Sequence, residues 1–338
     1  MIDILNIEPN KVSKNIGTYT YLIYSKPKVG KTTLACQFPK NLLIAAEKGY
    51  KAIPGAMAAP INSWGEFLNI VGQLVKLATQ RDRAEQKGET FNMPYETITI
   101  DVVDILYAYC TNYILQREGV DQVKDIPYGQ GFGMIEKEFD AQLQKIVSNG
   151  YGLILISHSQ EISPEEEGGI VKITPTMEKR CKKICTRLVD VFAGLVKLVD
   201  EEGKEHRIIV TQDCPQIEAG TRFKYLAPQI PLNFNSLKSA IEEAIKKEEE
   251  ESSNPELFTD EKLNYYKIEK NEDFEDVKKQ IDEKINQLMA NAKNQESMAL
   301  RIKGIIENAL GKGRLVAEAT ASQLEHLILI RNELNEIK

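Results

Sequence analysis

The sequence predicts an α/β protein, a mostly parallel sheet between helices, followed by a small all-α C-terminal domain. Three observations predict it. Apolar runs of strand length alternate with helical stretches through the first 240 residues. A glycine-lysine-threonine loop joins the first such run to a helix. Beyond residue 262 only helix-periodic segments remain. The expected division is therefore residues 1–240 as the α/β core, 241–262 as a charged linker and 263–338 as the helical domain.

Each element has its own signal. Residues 18–24, TYTYLIY, are β-branched and aromatic and read as a strand. The phosphate-loop pattern follows at 25–32, and KTTLACQF opens a helix. Residues 41–49 (NLLIAAEKG) form a short apolar run closed by glycine. Helical spacing returns over 63–78, and the polar stretch 81–94 reads as a loop or a helix end. YETITID (95–101) is a strand, and helical residues follow to 118. A glycine-rich turn at 128–134 precedes another helix, and GLILISHS (152–159) is the next strand. Residues 160–180 read as a loop. The helix after it carries an apolar stripe of Met177, Cys181, Ile184, Cys185, Leu188, Val191 and Phe192. Residues 194–212 read as a hairpin turning at Glu202 and Gly203. In the C-terminal part, Gly311 and Gly313 break the second helix from the third, and Thr320 with Gln323 can cap the last one.

Bulk properties narrow the function classes. The 338 residues carry a net charge of −7. Residues 241–338 hold 15 Lys and Arg against 22 Asp and Glu, so the acidic surplus lies there and the core balances near zero. Any nucleic-acid surface must then be local. No apolar run is long enough to span a membrane, and the N-terminus lacks the pattern of a signal peptide. Five cysteines without a CxxC pair, and three histidines, argue against a metal centre and for a reducing, cytoplasmic setting. Cys181 and Cys185, one helical turn apart, read as core packing.

The chemistry concentrates on four strand ends. Ser25, Lys26, Pro27, Lys28, Val29, Gly30, Lys31, Thr32 and Thr33 form the candidate ATP site. Backbone N–H groups turned inward, a lysine ammonium and a hydroxyl suit phosphates and Mg²⁺. Gly30 leaves room, Lys31 reaches the β- and γ-phosphates, and the helix that follows aims its positive end at them. Ser25 stands where the motif has its first glycine. Asp101 is the expected carboxylate beside Mg²⁺, together with Thr32; it also reads as a helix N-cap, and Asp104 is the second candidate. Glu47 could activate the attacking water, or be an ordinary loop glutamate. His158, beside Ser157, could sense the γ-phosphate, or be a satisfied histidine.

The stretches at 23–55, 95–106, 128–139 and 152–161 resemble phage-encoded nucleotide-binding proteins with a RecA-like ATPase core, a family associated with single-strand annealing and recombination. The resemblance covers roughly residues 15–235. It implies a RecA-type P-loop core, a catalytic role for Glu47 and assembly into rings or filaments. It further implies single-stranded DNA as a partner, contacted by the loop after the strand that carries His158, and a phage or prophage origin. The acidic residues 165–167 oppose such contact, whereas Lys172, Lys179, Arg180, Lys182 and Lys183 are candidate phosphate contacts, or simply a solvated basic face. Arg222 and Lys224 alternate in an extended segment. Arg222 could act as a finger on a neighbour's γ-phosphate, or be a surface charge. The C-terminal helices are the candidate contact for a single-strand-binding or replication protein. An ATP-dependent loader of such a partner is the competing reading.

Overall fold

The structure, a computed structural model, describes residues 7, 9–163, 169–199, 202–265 and 273–337. It divides into two compact units, one over Pro9–Lys267 and one holding the three C-terminal helices. In the larger unit β1 (Val12–Ser13) precedes β2 (Thr20–Ser25), α1 (Lys31–Ala35), β3 (Asn41–Ala45), β4 (Ala58–Pro60) and α2 (Trp64–Gln86). Then come β5 (Thr97–Asp101), α3 (Val103–Glu118), α4 (Gly131–Ser148), β6 (Gly152–Ile162), β7 (Lys172–Pro175) and α5 (Lys179–Leu188). The remainder is β8 (Val191–Val199), β9 (Glu205–Val210), β10 (Gly220–Thr221), β11 (Gln229–Pro231), α6 (Phe234–Ser252) and β12 (Phe258–Thr259).

The main sheet runs β11-β9-β8-β2-β6-β5-β3-β4. From β8 to β4 the neighbours are parallel, while β9 and β11 extend the sheet antiparallel. Parallel strands covered on both faces need apolar side chains in both directions, which is why they read as unbroken apolar runs. Leu22 and Tyr24 of β2 enter a core with Trp64 and Phe67 of α2, Leu106 of α3 and Phe139 of α4. Tyr21 and Ile23 enter the opposite core with Leu34, Phe38 and the apolar side of α6.

Four expectations change. Residues 241–262 are not a linker. Ile241, Ala244 and Ile245 of α6 are buried in the second core, and β12 pairs with β1. A strap over 254–265 then crosses the N-terminal ends of the strands, where Tyr265 Oη accepts from Ser13 N–H at 2.9 Å and donates to the Lys11 carbonyl at 2.8 Å. The supposed loop 160–180 contains β7, because β6 continues to Ile162 and folds back as a hairpin, Ser159 opposite Pro175; the acidic run at 165–167 lies outside the described residues. Val191 and Phe192 belong to β8, not to the preceding helix, which ends at Leu188. The helix after the glycine-rich turn begins inside it, at Gly131, where a Cβ would stand 2.7 Å from the Val123 carbonyl and glycine is therefore required.

The smaller unit packs α7 (Phe274–Asn291), α8 (Gln295–Leu310) and α9 (Leu324–Asn335) around Val277, Ile281, Ile302, Leu327, Ile330 and Leu334. Asp273 and Asn294 cap α7 and α8 through their side chains. Of the Thr320–Gln323 box only the half in which Gln323 Oε1 accepts from Thr320 N–H forms, at 3.1 Å, and α9 starts one residue later.

Candidate nucleotide site

The C-terminal ends of β2, β3, β5 and β6 lie side by side, since these strands are parallel neighbours in one sheet. That topology brings Ser25, Ala45 with the turn behind it, Asp101 and His158 to one edge, although they are far apart in sequence. Edges of this kind, outside the carboxyl ends of parallel strands, are where such sheets bind ligands.

The loop between β2 and α1 is shaped for phosphate. Gly30 adopts φ +122° and Lys28 φ +66°, conformations that turn successive amides the same way. Ser25 needs no positive φ; its buried hydroxyl donates to the Lys26 carbonyl at 2.8 Å and accepts from Lys31. Serine therefore substitutes for the motif's first glycine without conformational conflict. Lys31 is buried, its Nζ 3.0 Å from the Ser25 carbonyl and 3.3 Å from that of Lys26. No carboxylate lies within ion-pair distance of it among the described residues. Burial pushes its ammonium below the ordinary lysine value, against the pull of Asp101, Glu47 and Asp104.

Thr32 Oγ1 donates to Asp101 Oδ2 at 2.7 Å. Burial raises the Asp101 carboxyl above its ordinary value, opposed by this hydrogen bond. Asp101 does not cap α3: Val102 holds that position, without a side-chain bond. Asp104 turns elsewhere, accepting from Ser157 Oγ at 3.1 Å and Thr176 Oγ1 at 2.7 Å. The Thr32–Asp101 pair fits Mg²⁺. A Cβ on Gly49 would stand 3.7 Å from Thr32 Oγ1 and 3.9 Å from Asp101 Oδ2, so glycine keeps the space beside both oxygens open. Bound there, the ion would neutralise phosphate charge.

Glu47 and His158, singled out separately in the sequence, meet: Oε1 lies 3.0 Å from Nε2, and His158 Nδ1 lies 3.5 Å from Lys31 Nζ. The neutral tautomer with its proton on Nε2 satisfies both, accepting from Lys31 and donating to Glu47. One carboxylate oxygen of Glu47 is thereby oriented and the other is left to engage a water.

Other candidates stand apart from this edge. Arg222 sits by the N-terminal end of β2, its guanidinium 3.1 Å from Asp190 Oδ1 and 2.9 Å from the Arg187 carbonyl. Asp190 in turn accepts from the backbone and hydroxyl of Thr20. Arg222 thus cannot reach its own chain's loop. Lys224 pairs with Glu251 at 2.9 Å. Of the proposed DNA contacts, Lys172 pairs with Asp213 at 3.1 Å, Lys182 with Glu218, and Arg180 with Glu136 while covering the Phe132 ring. Lys179 and Lys183 are exposed. Cys181 and Cys185 are buried in the core, as their spacing indicated. Sequence reading passed over Arg207, whose Nη1 lies 3.5 Å from the Val29 carbonyl; a cation just before the apolar run 208–210 of β9 was the available signal. Lys26 reaches Glu161 at 2.6 Å across the mouth of the loop.

A parallel sheet with a phosphate loop, a threonine–aspartate pair and a glutamate at adjoining strand ends defines a P-loop ATPase. The model of a family described as an AAA domain matches residues 18–223, more than half of the chain, and the chain belongs to that family. It is also 28% identical over 346 residues to an SPbeta prophage-derived uncharacterized protein, YorG, of Bacillus subtilis (strain 168), with 99% of this chain and 98% of that protein covered. No helix among the described residues is long and apolar enough to cross a membrane.

Proposed function

We propose that this protein hydrolyses Mg·ATP and uses the cycle in DNA recombination or single-strand annealing, assembling on single-stranded DNA around a RecA-like core. The Glu47–His158–Lys31 chain carries the hydrolysis reading. In it Lys31 and the amides of the loop bind the phosphates, and Thr32 and Asp101 hold Mg²⁺. Glu47 takes a proton from the attacking water, and His158 fixes its orientation and registers the γ-phosphate through Lys31. Arg222, remote from its own site, suits a role on a second copy, as a cation that completes the neighbouring nucleotide site.

The resemblance to phage ATPases of recombination supports a DNA role, and the prophage name of the relative fits a phage origin. The helix α5 supplies exposed Lys179 and Lys183 as phosphate contacts. A second reading, an ATP-dependent loader of a replication protein with the C-terminal helices as its contact, is favoured by the carboxylates that already neutralise Lys172, Arg180 and Lys182. ATPase turnover with and without single-stranded DNA, with particle size measured alongside, separates them. DNA-stimulated turnover by an ATP-dependent oligomer fits the first reading. A monomer that ignores DNA and is stimulated only by a protein partner fits the second.

A further inference from the structure

At the opposite edge of the sheet from the nucleotide site, the strap, the end of α2 and the segment before β5 line an open cavity of about 630 Å³. That is within the range of roughly 300–1,000 Å³ typical of small-molecule sites. We propose that this cavity is a second ligand site, taking the oxyanion of a small phosphorylated, sulfated or carboxylated molecule, with Lys262 of the strap as its principal contact.

Lys262 is a half-buried cation whose one described hydrogen bond goes to the Glu96 carbonyl. No carboxylate lies within ion-pair distance of it among the described residues. The carboxylates facing the cavity are engaged elsewhere. Glu96 pairs with Lys40 at 2.8 Å, while Asp82 and Glu85 pair with Arg81 at 2.9 and 3.8 Å. Lys40 and Arg81 also face Lys262 and add like-charge repulsion. An ammonium withdrawn from water, with donors to spare and cations beside it, is unfavourable by itself. An oxyanion would supply both the missing charge and the missing acceptors. The same conditions show in its proton affinity: burial first, then Arg81 and Lys40, lower it to about 8, with Glu96 opposing.

This position gives the site a signature. The oxyanion needs the protonated amine, which is half-populated at about pH 8, nearly complete a unit or more below it and lost above it. Affinity is then level below about pH 8 and falls about tenfold per pH unit above it, and binding near pH 8 takes up a proton. The test is titration calorimetry with sulfate, whose charge is constant over this range, and with adenosine monophosphate as the larger probe. Lys31→Ala protein is used so that the phosphate loop binds either probe only weakly, and the binding that Lys262→Met removes is read as the cavity's. We expect one site, proton uptake near pH 8, at least tenfold weaker binding in Lys262→Met, and retained binding at pH 9 in Lys262→Arg. Unchanged melting of both variants will show that the strap still folds. Absence of binding by either probe at pH 7, or binding that Lys262→Met leaves unchanged, would overturn the proposal.

Discussion

Lys31 in the phosphate loop and Arg180 on α5 are both cations at a helix surface, but they keep different company. Lys31 is buried among neutral acceptors, two carbonyls and a hydroxyl, with carboxylates only at longer range. Arg180 is exposed, paired with Glu136 and laid over Phe132. Neutral acceptors are readily exchanged for phosphate oxygens, because no opposite charge must be stripped away. A cation already matched to its own chain's carboxylate offers an incoming anion much less. The difference teaches that counting basic residues overstates a phosphate surface, and that the partners of each cation decide its availability.

The largest expected effect follows from the first half of that contrast. Lys31→Ala should abolish hydrolysis and weaken nucleotide binding; full turnover in a phosphate-release assay would break the comparison. Next, Glu47→Gln should retain ATP affinity while lowering kcat by about 10²-fold or more, the usual range for loss of a general base. In the same assay Asp101→Asn should be damaging and Asp104→Asn mild, since only Asp101 touches Thr32.

On the basic helix the effects are smaller. Lys179→Ala with Lys183→Ala should weaken binding to single-stranded DNA and reduce the salt slope by about 0.7 for each phosphate no longer neutralised, leaving DNA-free ATPase intact. Fluorescence anisotropy at several salt concentrations measures this. Glu136→Gln should act oppositely, freeing Arg180 and tightening DNA binding a few-fold. If that change does nothing while the double lysine change does, carboxylate pairing is not what limits the surface.

Much of the core was legible in the sequence because its central strands are doubly buried and hence continuously apolar. The phosphate loop was legible because its chemistry is local. What escaped depends on distant partners. The exposed side of α6 is so charged that the apolar spacing of Ile241, Ala244 and Ile245 reads as a linker. β7 is short, only half-buried over its first two residues and defined by its pairing with β6. β4, with its proline, carries little strand signal beyond its place beside β3. Glu47 and His158 were each visible as polar residues closing an apolar run. Their contact was not, since it arises from strand order: β5 stands between β3 and β6. The pairing of Arg180 and Lys182 with acidic residues on other elements was likewise invisible, and it is what most alters the DNA reading.

The strap also bears on synthesis of the chain. β1 pairs with β12 across nearly 250 residues, and β2, the first long strand, is flanked by β6 and β8, both made much later. Pairings so distant in sequence form slowly and late. A chain emerging from the ribosome amino end first would carry β2 with both of its edges bare until β6 and β8 follow. Only when Tyr265 is out could its hydroxyl close on Lys11 and Ser13. Within the main sheet, the apolar strand that leads into the phosphate loop is therefore the one that waits longest for its neighbours during translation.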